Sequence, residues 1–261
     1  MISFQHVTSR YPGSSRNAVD EISFDVGAGE LVVLLGPSGC GKSTLLRTVN
    51  RLVPLEGGKV IVDGTDVAEL DAVELRRGIG YVIQAVGLFS HMTVAQNVAV
   101  VPSLLGWRRP DIDRRVDELL QMVGLDPSLY RKRYPSQLSG GEAQRIGVAR
   151  AIAARPRALL MDEPFGAVDA VVRATLQREL VRIVRELKTT TLFVTHDVDE
   201  AFRLADRVVV MRAGRVEQVA APEGLFDDPA TEYVRDIVHA GDDVYRRYYL
   251  HARELLRQSS S

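Results

Sequence analysis

The sequence predicts an α/β protein built on a mostly parallel sheet, with a small antiparallel sheet near its N-terminus and an inserted helical region. Three observations lead to this fold class. Apolar runs of strand length alternate with helix-like stretches, as in proteins that cover a parallel sheet with helices. Residues 2–8 and 19–26 instead alternate apolar and polar side chains, as half-buried antiparallel strands do. The stretch from about residue 85 to 155 is dominated by helical periodicity.

The elements of the sheets are expected in order along the chain. Residues 31–35 are wholly apolar, which indicates a strand buried on both faces, and a helix from Lys42 to about residue 52 follows. Glycines 57 and 58 predict a turn before a strand at 59–62, and residues 63–64 predict a hairpin. Further strands are expected at residues 79–83, 158–161, 190–194, 207–211 and 216–219.

The helical region carries two clear helix signals. Thr93 and Gln96 have the spacing of a capping box, which predicts that a helix begins there. Residues 111–123 have one apolar helical face. A second amphipathic helix is expected before the strand at 190–194, with Val168, Val172, Leu176, Leu180, Ile183 and Leu187 on its apolar face.

The overall composition excludes several classes of function. Lys and Arg total 33 and Asp and Glu total 34, so the net charge of −1 provides no general attraction to nucleic acid. The single cysteine excludes an internal disulfide and fits the cytosol. We expect no signal peptide and no membrane span, since no apolar run approaches the ~20 residues that a span needs. Any link to a membrane is therefore expected to run through a partner.

The strongest chemical motif follows the strand at 31–35. From Gly36 through Gly41 to Lys42 and Ser43, the spacing fits the phosphate-binding loop G-x-x-x-x-G-K-[ST]. Glycines let backbone N–H groups converge on an anion, and the helix N-terminus adds its positive dipole end. We expect Lys42 to reach the β- and γ-phosphates and Ser43 to ligate Mg²⁺. A glycine-rich turn that binds nothing is the alternative.

Two carboxylates end the strand at 158–161. Asp162 is expected to support Mg²⁺, and Glu163 to polarise or deprotonate the attacking water. Gln84 and His196 also follow apolar strands, where Gln84 could orient water or ligate Mg²⁺ and His196 could contact the γ-phosphate. The plain alternatives are solvated strand ends and a structural histidine.

A second anion-binding surface is expected at Ser139-Gly140-Gly141-Glu142. Ser139 and Glu142 form a capping box, so an ordinary well-capped helix is the alternative. Two glycines at a helix start nevertheless expose N–H groups to an anion.

Taken together and in order, these segments resemble the nucleotide-binding subunit of an ABC transporter. The residues that carry the resemblance are Tyr11, 36–44, Gln84, 138–142, 161–164, 166–169 and His196. The resemblance implies a P-loop NTPase core of RecA-like fold with an N-terminal antiparallel β subdomain and an inserted α-helical subdomain. It also implies that ATP binds Tyr11, Gly36, Pro37, Ser38, Gly39, Cys40, Gly41, Lys42, Ser43 and Thr44, with the Tyr11 ring on adenine.

The same resemblance implies a head-to-tail homodimer with two ATP molecules between the subunits. Ser139, Gly140 and Gly141 of one subunit would complete the site formed by Lys42 of the other, and Asp169 would link the two sites. Gly166 and Val168 depart from the family, which more often has Ser and Leu there. Catalysis is expected to be retained. A hydroxyl contact across the dimer is not expected, because Gly166 has no hydroxyl where the family more often has Ser. A bulky maleimide on Cys40 is expected to block ATP.

Residues 79–84, 87–94 and 161–167 resemble, more narrowly, importers of glycine betaine, choline, carnitine and related osmoprotectants. This implies an ATP-hydrolysing subunit, peripheral at the cytoplasmic face of the inner membrane. Its expected partners are transmembrane permease subunits and, through the complex, a solute-binding protein, with no nucleic acid. Alternatives are an importer for another solute such as an amino acid, a detached exporter ATPase, and a soluble ABC ATPase.

The expected domain organisation is an ATPase domain over residues 1–225 and a helical tail over 226–261, too short for the pair of CBS domains often found in that group. The tail carries apolar side chains at helical spacing (Val244, Tyr248, Leu255, Leu256), which indicates a helix docked on its own domain or on a dimer partner, or one at a membrane surface. The apolar residues 86–89 and Met92 are expected to line one groove for a permease helix.

Overall fold

The computed structural model describes residues 1–84, 87–165 and 170–240. The predictions for Val86, for Gly166, Val168 and Asp169, and for the tail beyond residue 240 lie outside these ranges.

The strands and helices alternate much as predicted. The strands are β1 (Ile2–Ser9), β2 (Val19–Val26), β3 (Leu31–Leu35), β4 (Gly57–Val62), β5 (Thr65–Asp66), β6 (Ile79–Val82), β7 (Ala158–Asp162), β8 (Thr190–Thr195), β9 (Arg207–Arg212) and β10 (Arg215–Ala220). The helices are α1 (Lys42–Val49), α2 (Ala72–Arg77), α3 (Val94–Leu104), α4 (Arg109–Met122), α5 (Pro127–Tyr130), α6 (Gly140–Ile152), α7 (Ala170–Leu187), α8 (Val198–Leu204), α9 (Pro222–Asp227) and α10 (Glu232–Ala240).

Two sheets form the framework. The smaller sheet has the order β2-β1-β4-β5 and is antiparallel, which confirms the predicted N-terminal β subdomain. The larger sheet has the order β10-β9-β3-β8-β7-β6, with parallel pairing from β9 to β6 and β10 antiparallel at its edge. Because β3, β8 and β7 are neighbouring parallel strands, their carboxyl ends meet at one edge of this sheet.

The core lies on both faces of the larger sheet. Every side chain of β3 is buried: Leu31, Val33 and Leu35 pack with the helical side, whereas Val32 and Leu34 pack with the antiparallel sheet and α1. This two-sided burial is the reason that the strand is an unbroken apolar run rather than an alternating one.

The helical insertion is confirmed, and α3, α4 and α6 pack against one another within it. The predicted apolar face of α4 is buried, namely Ile112, Val116, Leu119 and Leu120, with Val123 just beyond its end. The capping box at Thr93 and Gln96 begins α3 as predicted.

Three local predictions were wrong. Gly57 and Gly58 belong to β4 instead of a turn: Gly58 has φ +75°, and a Cβ there would lie 2.2 Å from the His6 carbonyl oxygen. Glycine is therefore needed at this position, because the backbone of an irregular stretch of β1 approaches it closely. Helix α1 ends at Val49, before the expected residue 52, and β6 ends at Val82, leaving Ile83 exposed.

Helices α2, α5 and α9 were not predicted, whereas α10 lies within the helical tail expected over residues 226–261. Leu225 of α9 and Val234 and Val238 of α10 are buried in the same core as β3. The domain boundary expected after residue 225 falls within α9 and stays a prediction. Among the described helices, none has both the length and the hydropathy to cross a membrane.

Candidate active site

The segments that follow β1, β3, β6 and β7 bring nine of the predicted site residues to one cavity of about 730 Å³. Those that line it are Tyr11, Ser38, Gly39, Gly41, Lys42, Ser43, Thr44, Gln84 and Glu163. Asp162 is buried just behind them, hydrogen bonded to Ser43. Segments separated by more than a hundred residues in sequence therefore form one site.

The loop before α1 has the backbone form that an anion site requires. Gly39 and Gly41 have φ values of +79° and +105°, in the left-handed region that favours glycine. A Cβ on Gly41 would also lie 2.2 Å from the Ala18 carbonyl oxygen. Gly41 is the N-cap of α1 and supplies no side-chain cap, so the first N–H groups of the helix face the cavity without a side-chain acceptor.

Lys42 is buried and folds back over the loop. Its Nζ donates to the carbonyl oxygens of Gly36 at 2.7 Å and Pro37 at 2.9 Å. An ammonium has three donors, and the third makes only a long contact with Cys40 Sγ at 3.9 Å, so these bonds position the charge and a phosphate could compete for the third donor.

Three residues assigned to ATP do not line the cavity: Gly36, Pro37 and Cys40. The Cys40 thiol is buried in the core beneath the loop, and its sulfur lies 3.9 Å from Lys42 Nζ. Burial raises the pKa of this thiol, against the opposing effect of Lys42. A sequence motif assigns a residue to the loop but does not give the direction of its side chain.

Asp162 is held by hydrogen bonds from several side chains. Ser43 Oγ donates to Asp162 Oδ1 at 2.6 Å, and Arg47 Nη2 lies 3.0 Å from Oδ2. The Tyr81 hydroxyl is 3.5 Å from the same Oδ2. A serine hydroxyl beside a carboxylate is a donor set that suits Mg²⁺, which is usually held by one or two carboxylates together with substrate phosphates and waters.

Arg47 and Tyr81 were missed by sequence reasoning. Arg47 lies four residues after Ser43 in α1, and this spacing puts both side chains on one helical face, a signal that could have indicated Arg47. Tyr81 lies on β6 and reaches Asp162 only because β6 pairs with β7, which the sequence does not state.

Glu163 is contacted by both other predicted catalytic residues. Gln84 Nε2 donates to Glu163 Oε2 at 3.3 Å, and His196 Nδ1 lies 3.3 Å from Oε1. Glu163 adopts φ +44°, and its N–H donates to the Val194 carbonyl at 3.1 Å. A left-handed conformation costs a non-glycine residue free energy and is concentrated at functional sites.

Tyr11 lies at the rim of the cavity with 46% of its surface exposed. Its hydroxyl is 2.9 Å from Thr44 Oγ1, which ties the turn after β1 to the first turn of α1. The exposed ring face is available for stacking on a base.

The second glycine-rich segment lies elsewhere in the chain. Ser139 is the N-cap of α6 and forms the predicted capping box with Glu142, which also accepts a hydrogen bond from Tyr130. This bond holds the pKa of Glu142 below its ordinary value. Ser139 and Gly140 are exposed, and Ser139, Gly140 and Gly141 do not line the cavity of their own chain.

Phe89 and Met92 line two different cavities rather than one groove. Phe89 is 43% exposed and borders a cavity of about 290 Å³ with Gly80 and Arg150. Met92 borders a cavity of about 640 Å³ between α3 and α4.

Comparison with known proteins agrees with this geometry. The ABC transporter family model matches residues 19–166. The glycine betaine/carnitine/choline transport ATP-binding protein OpuCA of Bacillus subtilis is 47% identical over 91% of this chain and 62% of the relative. The glycine betaine uptake system ATP-binding protein YehX of Escherichia coli is 49% identical over 90% of this chain and 75% of the relative. The chain thus spans about three fifths of the length of OpuCA.

A solved structure has the same fold. The dimeric ATP-binding cassette MJ0796, in a post-hydrolysis state bound to ADP and phosphate, superposes with a TM-score of 0.75 at 31% identity. The superposition covers 85% of this chain and 98% of that one. With the family model matching more than half of its residues, the chain belongs to the ABC transporter family.

Proposed function

We propose that this chain binds and hydrolyses ATP and that this reaction powers a membrane importer. One observation carries the proposal: Glu163 lines the cavity that the phosphate-type loop borders, and Gln84 and His196 each contact its carboxylate. An anion-binding loop beside a carboxylate that can act on water is the arrangement that phosphoanhydride hydrolysis needs.

ATP would bind with its phosphates on the loop. The N–H groups at the start of α1 and the positive end of its dipole favour the triphosphate. Lys42, already fixed by the Gly36 and Pro37 carbonyls, supplies a positive charge to the β- and γ-phosphates. The Tyr11 ring stacks on the adenine. Ser43, Asp162 and Gln84 would hold Mg²⁺, which when bound neutralises charge on the phosphates.

Hydrolysis then needs a water activated beside the γ-phosphate. Glu163 accepts a proton from that water as the new O–P bond forms and the bond to the β-phosphate oxygen breaks, giving ADP and inorganic phosphate. Gln84 and His196 contact opposite oxygens of the Glu163 carboxylate and hold it in position. His196 would also contact the γ-phosphate.

A second copy of the chain would complete the site. Ser139, Gly140 and Gly141 lie at an exposed helix start, and a Cβ on Gly140 would meet no atom within 4 Å. This open surface would receive the γ-phosphate bound by Lys42 of the other copy, in a head-to-tail homodimer linked also by Asp169. The dimeric form of the related MJ0796 cassette supports this assembly.

The proposed transporter is an importer of quaternary amine osmoprotectants such as glycine betaine, choline or carnitine. The names of OpuCA and YehX support this cargo. The chain would lie at the cytoplasmic face of the inner membrane, held by transmembrane permease subunits that receive solute from a binding protein. The experiment is uptake of labelled betaine, choline and carnitine by cells with and without the gene. Loss of one uptake in the deletion supports the proposal; unchanged uptake of all three favours another solute or a soluble ATPase.

We propose that the permease docks at the cavity bordered by Phe89. This side chain is exposed on a loop, where a large apolar group favours contact with a partner. Phe89→Asp should then reduce recovery of permease subunits with a tagged copy of this chain, while its thermal unfolding stays close to that of the parent. Undiminished recovery would put the docking surface elsewhere, and early unfolding would make Phe89 part of the core.

A further inference from the structure

The loop that carries Phe89, residues 87–93, is tied to helix α3 by one buried side chain. Asn97 is completely buried and lies in the first turn of α3. Its Oδ1 accepts the Phe89 N–H at 2.8 Å, and its Nδ2 donates to the carbonyls of Phe89, Met92 and Thr93 at 3.0 to 3.2 Å. A buried amide that satisfies this many backbone groups fixes the form of the loop.

The same loop is tied to helix α6 by Arg150. Its Nη1 donates to the Gly87 carbonyl at 2.7 Å, and its Cζ lies 5.7 Å from the centre of the Phe89 ring. Burial lowers the pKa of Arg150, which reflects the removal of this guanidinium from water. The loop is thus attached to two helices of the insertion, and α3 and α6 themselves pack together.

Helix α6 connects this attachment with the second glycine-rich segment. Ser139 caps its N-terminus and Arg150 lies in its last turn. At 1.5 Å per residue, these two positions are about 16 Å apart along one helix. A hydrogen-bonded helix of this length moves as a unit, so a shift of Ser139 is also a shift of Arg150.

We propose that Arg150 and Asn97 are positioning residues that transmit ATP engagement at Ser139 to the surface around Phe89. The inference rests on the proposed function, because it requires Ser139 of one copy to contact ATP held by another. The loop would then move with the Ser139 end of α6, and the partner docked on Phe89 would receive that movement.

Hydrogen–deuterium exchange of the loop tests this in the isolated chain. The background is Glu163→Gln, chosen so that bound ATP is not consumed. Arg150→Met is compared with Arg150→Lys, which keeps the charge, and with Arg145→Met, a matched change on α6 at a residue that pairs with Glu179 instead of the loop. Light scattering records dimer formation, and thermal unfolding records stability.

In the parent and in Arg145→Met, ATP should change the exchange of residues 87–97 as the dimer forms. In Arg150→Met, the loop should exchange about tenfold faster without nucleotide, since a charge-assisted hydrogen bond is lost. It should then no longer respond to ATP although the dimer forms, and Arg150→Lys should restore part of the response. If Arg150→Met does not fold, Arg150→Gln takes its place in the comparison.

An ATP response that Arg150→Met retains, or that Arg145→Met loses equally, would overturn the inference. So would a parent that dimerises with ATP while its loop exchange stays unchanged, and in that case the proposed function would stand. A parent that never dimerises with ATP would instead overturn the proposed function, and this inference with it.

Discussion

His196 Nδ1 lies 3.3 Å from Glu163 Oε1, and the two residues follow the neighbouring parallel strands β8 and β7. The imidazole therefore restricts the carboxylate on one side, while Gln84 contacts its other oxygen.

From this contact we predict that His196→Ala lowers kcat by about 100-fold, since a misplaced base loses most of its effect. The affinity for ATP should change much less. Steady-state hydrolysis with separate kcat and KM values measures this, and His91→Ala, at an exposed histidine near Phe89, is the control. A kcat close to that of the parent would remove His196 from the mechanism.

Lys42→Ala should weaken ATP binding about ten- to hundredfold, because a charge-assisted contact with phosphate contributes about 1.5–3 kcal/mol. Titration calorimetry measures the affinity, and Lys59→Ala, at an exposed lysine on β4, controls for the loss of one positive charge. Since Lys42 also bonds the Gly36 and Pro37 carbonyls, thermal unfolding of the variant should be recorded alongside. Unchanged affinity in a folded variant contradicts the role given to Lys42.

The position of Cys40 leads to a different expectation from that of the motif alone. Its thiol is buried away from the cavity, and burial raises its pKa, so little reactive thiolate is accessible in the folded chain. We predict slow modification by a maleimide with or without ATP, and rapid modification in denaturant, both followed by mass spectrometry. Fast labelling of the folded chain that ATP prevents would show that the sulfur faces the nucleotide.

Glu200 predicts a dependence of stability on pH. Its carboxyl is buried on α8 and accepts a hydrogen bond from Gln177 at 2.9 Å. Burial raises the pKa of Glu200 above its ordinary value of 4.5, with a further contribution from Asp197 and opposition from Thr195, Gln177 and Arg173. The folded chain thus favours the protonated form. The stabilising contribution of the protonated Glu200 carboxyl is complete at pH values below its ordinary pKa. It is lost as the pH rises through the raised pKa of the folded chain.

Glu200→Gln keeps the shape of the side chain and never becomes charged. At pH 8 its Tm should therefore exceed that of the parent, by about 2–4 °C for each kcal/mol of stability recovered. Near pH 4.5 the two Tm values should approach each other. Thermal scans across pH measure the difference, with Glu69→Gln, at an exposed residue, as the control. A difference that does not vary with pH would contradict the account.

Local signals were sufficient to predict much of the fold. The unbroken apolar run at β3, the glycines that follow it and the capping boxes at Thr93 and Ser139 each depend on neighbouring residues, and each was confirmed. Contacts between distant segments were not predictable in this way. Arg47 and Tyr81 reach Asp162 only through strand pairing and helix packing.

Other features could not be predicted from the sequence, because the direction of a side chain and the close approach of two backbone segments depend on the folded chain. Cys40 belongs to the loop motif, but its thiol is buried. Gly58 resembles a turn residue in the sequence, yet it lies in a strand, where its lack of a side chain lets the His6 carbonyl approach. Helix α9 was missed because Leu225, its buried apolar side chain, packs into a core formed by distant parts of the chain.

The central claim is that Glu163 acts on water in a site that two copies of the chain form around ATP. The most direct measurement is size exclusion with light scattering on Glu163→Gln, with ATP, with ADP and without nucleotide, together with its rate of hydrolysis. The account predicts a stable dimer with ATP alone and hydrolysis reduced by about 10²–10⁴-fold. A variant that hydrolyses ATP near the parent rate, or stays monomeric with ATP bound, would contradict it.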